Sequence, residues 1–148
     1  YWSRGLGDVY KRQILHDVGR SLNPAIDIGQ IEGGYVQGAG WLTTEELVWD
    51  SKGKLLTHAP STYKIPACSD RPLDFRVQLF SEGENCEDTI HRSKAVGEPP
   101  LMLGTSVFMA LSHALQSVNG RSSYPNLNAP ATPERLLMQS VGLDQANV

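Results

Sequence analysis

The chain has 148 residues, the size of one domain, and its composition of 40% hydrophobic and 20% charged residues is ordinary for a globular protein. Its formal net charge of −3 gives no electrostatic reason to expect nucleic acid or an acidic membrane surface as a partner, and we predict neither. No apolar run reaches the roughly eighteen residues of a membrane span, and neither a signal peptide nor a metal-site spacing of His and Cys is present. We therefore expect a cytoplasmic protein that binds a small molecule or another protein and has no metal-ligand cluster of its own.

Residues 1–13 contain an aromatic pair, basic residues and glycines without any period, unlike the sequence that follows. This change in composition predicts a segment foreign to the domain, which would then comprise residues 14–148; a native irregular arm is the alternative. Residues 14–19 form a short apolar run that ends in glycine, a pattern typical of a strand.

A helix is predicted from Pro24, with Asn23 as its N-cap, to about Leu47. Its interior is rich in glycine, and each glycine costs about 1 kcal/mol relative to alanine, so something must approach the backbone closely. One face at helical spacing carries small residues and two amides: Gln30, Gly33, Gly34, Gln37 and Gly38. This face is suited to a bound ligand or to close packing against another helix, and the pattern does not choose between them.

Strand signals alternate with these helical ones. Residues 45–56 indicate a hairpin with its turn at residues 50–53, and residues 74–80 alternate as a half-buried strand does. A stiff, proline-bounded segment at residues 60–66 and an acidic loop at residues 81–88 separate these strands from the rest. The mixture predicts an α+β fold.

Glu98 lies between Gly97 and the pair Pro99-Pro100. A residue that precedes proline is biased toward extended backbone, so we expect an extended Glu98 whose carboxylate is held on stiff chain at the mouth of a helix that starts after Gly104. Local chemistry alone favours the other interpretation, in which Gly-Glu-Pro-Pro is an ordinary loop with a solvated carboxylate.

Two further helices close the chain. The first is predicted to begin at Thr105 or Ser106 as its cap and to end at Gly120, and the second to begin at Thr132 as its cap with Pro133 in the first helical position. The apolar residues of the first helix form a single stripe that we expect in the core: Val107, Phe108, Ala110, Leu111, Ala114, Leu115 and Val118.

Several blocks of this sequence are long enough to be compared with known families: residues 21–33, 36–38, 44–47, 60–66, 93–104 and 129–134. With these blocks the chain resembles the C-terminal end of the molybdenum-cofactor-binding part of xanthine dehydrogenases, which are molybdenum hydroxylases. The fold that the resemblance implies is a part of that α+β cofactor-binding domain. Since the chain ends soon after the last block, the resemblance favours a bacterial molybdopterin-binding subunit.

The resemblance implies roles for single residues. Glu98 would be the general base that takes a proton from a molybdenum-bound hydroxyl, whose oxygen then attacks an electron-poor carbon of the purine. Gln30 would contact the pterin of the molybdenum-molybdopterin cofactor. Gly33 and Gly34 would keep the helix surface low beside it. The remaining cofactor-binding candidates, Gln37 and Lys94, would lie behind the residues that contact the cofactor.

The resemblance also implies partners. Hypoxanthine and xanthine would be hydroxylated to urate with water as the oxygen source, and electrons would pass to NAD through 2Fe-2S and FAD centres in other domains or subunits of a hetero-oligomer. The purine-binding residues and the other cofactor contacts lie outside these blocks in the family. Related hydroxylases that act on aldehydes or other N-heterocycles, and a non-catalytic binding module, are the alternatives.

Overall fold

A computed structural model describes residues 11–118 and 125–142 of the chain. Within these residues, two strands and three α-helices follow one another: β1 (Lys11–His16), α1 (Pro24–Thr43), β2 (Asp74–Leu79), α2 (Thr105–Val118) and α3 (Pro133–Ser140). Short 3-10 helices lie at Cys68–Asp70, Ile90–Arg92 and Pro99–Gly104. The helices combine with a small parallel sheet, so the predicted α+β class is confirmed.

The two strands pair in parallel, with α1 in the connection between them, and their register runs from Lys11 opposite Asp74 to His16 opposite Leu79. The first strand begins three residues before the predicted start at residue 14. Its early residues are ordered by tertiary contacts, because the Arg12 Nε donates a 3.0 Å hydrogen bond to the hydroxyl of Tyr35 on α1. Residues 1–10 lie outside the described part of the chain.

Helix α1 begins as predicted, with the Asn23 side chain accepting a hydrogen bond from the Ile26 amide at 3.3 Å. It ends at Thr43 and not at Leu47, because the amides of the next two residues both bond to the Gly40 carbonyl at 3.0 Å. The predicted hairpin after it is shorter than expected and consists of a turn closed by one antiparallel bridge between Trp49 and Leu55.

The core lies between α1, α2 and β1 and extends to the residues before α3. Its buried apolar members are Ile14, Val18, Ile31, Tyr35, Val107, Leu111, Leu115, Leu127 and Ala131. Three of them come from the predicted stripe of α2, while Val118 at the end of that stripe is 71% exposed. The predicted end of α2 at Gly120 lies outside the described residues, whereas α3 has the expected Thr132 cap.

The helical chain before α2 begins earlier than predicted. Pro99 starts a 3-10 helix that continues directly into α2. Thr105 is therefore the C-cap of the 3-10 helix, and neither Thr105 nor Ser106 acts as an N-cap. The Ser106 hydroxyl instead donates backwards to the Leu103 carbonyl at 2.6 Å. A proline pair fits here because the first residues of a helix have no partner for their amides.

The continuous helical stretch Pro99–Val118 is 20 residues long with a mean hydropathy of 1.3, so by length and composition alone it could cross a membrane. This differs from the expectation that no stretch of the chain does so. Val107, Leu111 and Leu115 on it are buried in the core. The core helix of a soluble protein can have the same length and hydropathy as a membrane span.

The backbones of α1 and the 3-10 helix touch at three glycines, Gly34, Gly38 and Gly104, which we call the glycine seam. A Cβ at Gly34 would lie 2.9 Å from the Pro100 Cβ, and one at Gly38 would overlap the Leu101 carbonyl oxygen. Close helix packing, one of the two interpretations of the glycine-rich face, therefore accounts for Gly34 and Gly38.

At two other glycines the same helix is open, whereas Gly40 near its end packs against Glu45 and Pro66. A Cβ at Gly33 would meet nothing within 4 Å among the described residues, and the same holds for Gly29. The glycines of α1 thus divide into a packed set and an exposed set.

This division predicts opposite effects of alanine at two sites on one helix. Gly38→Ala should lower the free energy of unfolding by about 1–3 kcal/mol, because the methyl group would be forced into the Leu101 backbone. Gly33→Ala should raise it by up to about 1 kcal/mol through helix propensity. The thermal unfolding midpoints of the two variants of the complete protein test this, and a Gly38→Ala variant as stable as Gly33→Ala would contradict the packing.

Candidate functional site

Glu98 immediately precedes the 3-10 helix Pro99–Gly104 and is exposed. Its backbone is right-handed helical, with φ −89° and ψ −40°, and not extended as predicted. The reason is tertiary: the Leu101 amide donates to the Glu98 carbonyl at 3.0 Å, and the glycine seam holds this first turn against α1. Among the described residues, nothing forms a hydrogen bond or an ion pair with the Glu98 carboxylate.

Gln30 lies exposed on α1 and faces the chain just before Glu98. A Cβ at Gly97 would lie 3.9 Å from the Gln30 Oε1, so the amide reaches the neighbour of Glu98. Within the described residues, this amide has no hydrogen-bond partner. Gly33 follows it one turn later along the open part of the helix. The fold thus brings Gln30 and Glu98, which are far apart in sequence, to adjacent exposed segments.

The other predicted site residues on α1 have different surroundings. Gly34 contacts Pro100 in the glycine seam, and so it positions the 3-10 helix. Gln37 is exposed two turns after Gln30, and its side chain forms no hydrogen bond in the part of the chain that the structure describes. Its assignment to the cofactor stays a prediction.

Lys94 is held by a carboxylate of the same chain. Its Nζ lies 2.6 Å from the Asp17 Oδ2, with the two side chains 33% and 39% exposed. The Lys94 amide also donates to the Val18 carbonyl at 2.8 Å, and Gly19 forms an antiparallel bridge with Ser93. The segment before Glu98 is thus joined to the turn that leads into α1.

The Asp17 carboxylate is the one whose titration this arrangement changes. The hydrogen bond from the Lys94 ammonium, followed by the one from the Gly19 amide, lowers the pKa of Asp17 below its ordinary value of 3.8. Asp17 is not among the predicted site residues, because an Asp-x-Gly turn has no local feature that indicates a lysine far along the chain as its partner.

The loop before Ser93 is also more constrained than a solvated acidic loop. The Arg92 guanidinium donates to the carbonyl oxygens of Asn85, Cys86 and Glu87 at 3.2–3.4 Å. His91 and Arg92 adopt left-handed backbone, with φ of 52° and 59°, which non-glycine residues keep only when their surroundings enforce it. This backbone places the Arg92 carbonyl toward the amides of Arg20 and Asn85, each at 3.1 Å.

Two cavities found among the described residues do not include Glu98. One cleft of about 350 Å³ lies at α3, where Arg135 pairs with Glu46 at 2.6 Å, and a cavity of about 40 Å³ lies between α1 and Pro66. No group of three or more His, Cys, Asp or Glu side chains in the described ranges could hold a metal ion. The Gln30–Glu98 surface is open, and a bound group would have to be covered from outside.

The chain has the fold of enzymes that bind a molybdenum cofactor. It superimposes on quinoline 2-oxidoreductase from Pseudomonas putida 86 with a TM-score of 0.75 and 27% identity, covering 89% of this chain and 16% of that one. A Cu,Mo-CO dehydrogenase also matches with a TM-score of 0.75, and at 22% identity this likeness shows the fold alone. The family described as molybdopterin cofactor-binding domain matches residues 5–72. The chain is therefore part of a molybdopterin cofactor-binding domain.

Its relatives within this class are xanthine dehydrogenases. The enzyme of Dictyostelium discoideum is 47% identical over 129 residues, covering 85% of this chain and 9% of the relative. Xanthine dehydrogenase/oxidase of Mus musculus is 48% identical over 132 residues, covering 85% of this chain and 10% of the relative. The chain thus spans about a tenth of the length of the relatives it matches. The family match begins at residue 5, inside the segment predicted to be foreign, and the boundary at residue 14 stays a prediction.

The residues at the Gln30–Glu98 surface fit such a cofactor. The Gln30 amide can both donate to and accept from the edge of a pterin ring. The missing side chain at Gly33, where a Cβ would meet nothing within 4 Å, lets a flat ligand approach the helix. Gly34 does not belong to this surface, because it packs on Pro100.

The lowered pKa of Asp17 predicts a pH-dependent local stability. The pKa of Asp17 in the folded state lies below 3.8. The stabilisation from its contacts with Lys94 and Gly19 is therefore fully present above pH 3.8 and is lost as the pH falls through the folded-state pKa. Asp17→Asn should therefore expose the Lys94 amide to faster hydrogen exchange near neutral pH and have no added effect in acid. Exchange of peptides that contain Lys94, corrected for intrinsic rates, measures this in the complete protein. If Asp17→Asn changed the exchange rate equally near neutral pH and in acid, the result would contradict a stabilising role of the ionised Asp17 carboxylate.

Proposed function

We propose that the complete protein is a xanthine dehydrogenase, a molybdenum hydroxylase that converts hypoxanthine and xanthine to urate with water as the oxygen source. The observation that supports it most directly is the position of the Gln30 Oε1, 3.9 Å from where a Gly97 Cβ would lie, beside an unpaired Glu98. A cofactor contact and a base on adjacent segments are what such a reaction needs. The 45–50% identity to xanthine dehydrogenases supports the purine as substrate.

Glu98 is the general base in this proposal. Its carboxylate is exposed, and among the described residues no cation or donor competes for it, so it is free to accept a proton. The molybdenum cofactor, when bound, supplies the oxygen nucleophile and accepts the two electrons that leave the substrate carbon. Glu98 removes the proton of the attacking group, and the rigid start of the 3-10 helix limits the directions in which the carboxylate can move.

Gln30 and Gly33 bind the pterin. The amide orients the ring system through hydrogen bonds, and the open helix surface at Gly33 provides the contact area beside it. Both residues lie on α1, a helix whose opposite side is buried through Ile31 and Tyr35. The contacts are therefore carried by a rigid element, as orientation of a reactive cofactor requires.

The remaining parts of the enzyme are proposed to cover this surface. Large apolar side chains are exposed on the described residues, among them Leu73 at 83%, Trp49 at 57% and Trp41 at 52%. Exposed large apolar side chains favour contact with further parts of a larger protein. We propose that the rest of the molybdopterin-binding domain packs here, and that 2Fe-2S, FAD and NAD are bound by other domains or subunits of a cytoplasmic hetero-oligomer.

A hydroxylase of another N-heterocycle is the second candidate. The structural likeness to quinoline 2-oxidoreductase, with a TM-score of 0.75, favours it over a non-catalytic module. The sequence identity is lower, at 27%, than the 47% shared with a xanthine dehydrogenase. Comparing turnover of the purified enzyme on xanthine, quinoline and an aldehyde decides between these substrates.

Replacing the base should stop turnover without loss of cofactor. Glu98→Gln removes the proton acceptor and keeps the shape of the side chain, so kcat on xanthine should fall by roughly 10²–10⁴-fold. Molybdenum and pterin content per folded molecule should stay close to wild type. Steady-state kinetics and metal analysis of the complete enzyme measure the two quantities.

Glu82→Gln is the matched control for this variant. Glu82 is an exposed carboxylate in the loop after β2, with no ion pair or hydrogen bond to the rest of the described chain, so its loss should leave kcat unchanged. A Glu98→Gln enzyme that turns over xanthine as fast as the Glu82→Gln enzyme would refute the assignment of the base.

The open helix surface predicts a graded response to side-chain size at Gly33. Gly33→Ala should retain cofactor, whereas Gly33→Leu should lower molybdenum and pterin occupancy several-fold, because its side chain would occupy the space proposed for the ring. Occupancy is measured on soluble, folded protein by metal analysis and pterin fluorescence.

The alternative of mere helix packing makes a different prediction for these variants. If Gly33 served packing, Gly33→Leu would lower stability while the occupancy of each folded molecule stayed constant. A Gly33→Leu enzyme that is normally stable and fully loaded would exclude both interpretations.

A further inference from the structure

Two connections hold the chain that carries Glu98, one on each side of it. On the C-terminal side the glycine seam fixes the 3-10 helix Pro99–Gly104 against α1. On the N-terminal side, Lys94 lies four residues before Glu98 and is joined to Asp17 through the 2.6 Å ion pair and to Val18 through a 2.8 Å backbone hydrogen bond.

The Asp17 carboxylate joins three separate segments. Its Oδ2 pairs with the Lys94 Nζ, and its Oδ1 accepts from the Gly19 amide at 2.8 Å. Gly83 packs directly against the same carboxylate, since a Cβ there would overlap the Asp17 Oδ1. Gly19 is left-handed, with φ of 63°, and the Arg92 carbonyl fills the space that a side chain would take. The carboxylate is therefore held in place by these contacts, although its side chain is 39% exposed.

Both connections attach the Glu98 segment to the same part of the chain. The turn that contains Asp17 leads directly into α1, and α1 carries Gln30 as well as two of the seam glycines. We propose that Asp17 and Lys94 are positioning residues, whose ion pair holds the segment before Glu98 so that the base keeps its place beside Gln30. This proposal rests on the proposed function, because it gives Lys94 a part in catalysis that is exerted through Glu98.

A direct contact between Lys94 and the cofactor is the alternative to this proposal. In the structure, the ammonium is already paired with a carboxylate at 2.6 Å. Exposed ion pairs contribute little to global stability, so removing this one should act locally, on the segment between Lys94 and Glu98. A small displacement of a base that must lie within hydrogen-bond reach is sufficient to lower turnover.

The test uses the complete, cofactor-loaded enzyme and five variants. Asp17→Asn removes the charge but keeps an oxygen for the Gly19 amide, Lys94→Met removes the ammonium, and the double variant closes a mutant cycle. Lys94→Arg keeps a cation within reach of the carboxylate. The control is Asp74→Asn, which breaks another 2.6 Å ion pair, to Arg76, at the exposed start of β2.

Positioning predicts a distinct pattern in these variants. Asp17→Asn and Lys94→Met should each lower kcat by about 10–100-fold, with KM for xanthine and molybdenum content unchanged. The double variant should be no slower than either single one, and Lys94→Arg should restore most of the turnover. Amide exchange of peptides covering residues 94–101 should accelerate in the two slow single variants and not in Asp74→Asn.

Several results would overturn the proposal. Asp17→Asn with wild-type kcat and exchange, or a double variant whose loss is the product of the two single losses, excludes a shared positioning role. Loss of cofactor in Lys94→Met alone would show that the ammonium contacts the cofactor directly. If Asp17→Asn does not accumulate, the comparison of Lys94→Met with Lys94→Arg carries the same decision.

Glu98→Gln measured in parallel separates this proposal from the function on which it rests. If Glu98→Gln keeps near-normal turnover, the base assignment fails and the positioning role fails with it. If Glu98→Gln is inactive while Asp17→Asn is normal in both kcat and exchange, only the positioning role fails.

Discussion

The contact on which the site depends is the direct approach of two backbones at the glycine seam. Gly38 and Gly104 have no side chains at the point where α1 and the 3-10 helix meet, and a Cβ at either one would overlap the backbone of the other helix. Contact at this distance leaves no room for sliding, because protein interiors repack only in discrete steps. The position of Glu98 relative to Gln30 follows from it, since each of these residues belongs to one of the two segments in contact.

A polar connection supplements this steric one. The Asp17–Lys94 pair and the bridge between Gly19 and Ser93 join the other end of the Glu98 segment to the turn before α1. The two connections differ in kind: the seam is short-ranged and insensitive to salt, while the ion pair is partly exposed and screened. Glu98 thus lies between the rigid glycine seam and the partly exposed Asp17–Lys94 ion pair. We expect substitutions at the ion pair to be the more informative, because they should leave the fold intact.

The surface around Glu98 is open and belongs to a larger protein. Helix α1 is buried on one side through Ile31 and Tyr35 and exposed on the other at Gln30 and Gly33. The chain spans about a tenth of the length of the xanthine dehydrogenases it matches, and quinoline 2-oxidoreductase shares the fold over 16% of its own chain. We propose that this surface supplies a base and one cofactor contact, and that residues outside this chain recognise the substrate.

Local features were readable from sequence, because caps and periodicity act within a few residues: the start of α1 at Asn23 and the start of α3 were predicted correctly. Of the predicted stripe of α2, Val107, Leu111 and Leu115 are buried, whereas Val118 is exposed. Family resemblance singled out Glu98, but its helical backbone and its approach to Gln30 were decided by tertiary packing. Tertiary packing also decided that Gly34 is packed while Gly33 is open, because the local sequence does not distinguish two adjacent glycines. The Asp17–Lys94 pair joins residues 77 positions apart, and no local pattern specifies a contact over that separation.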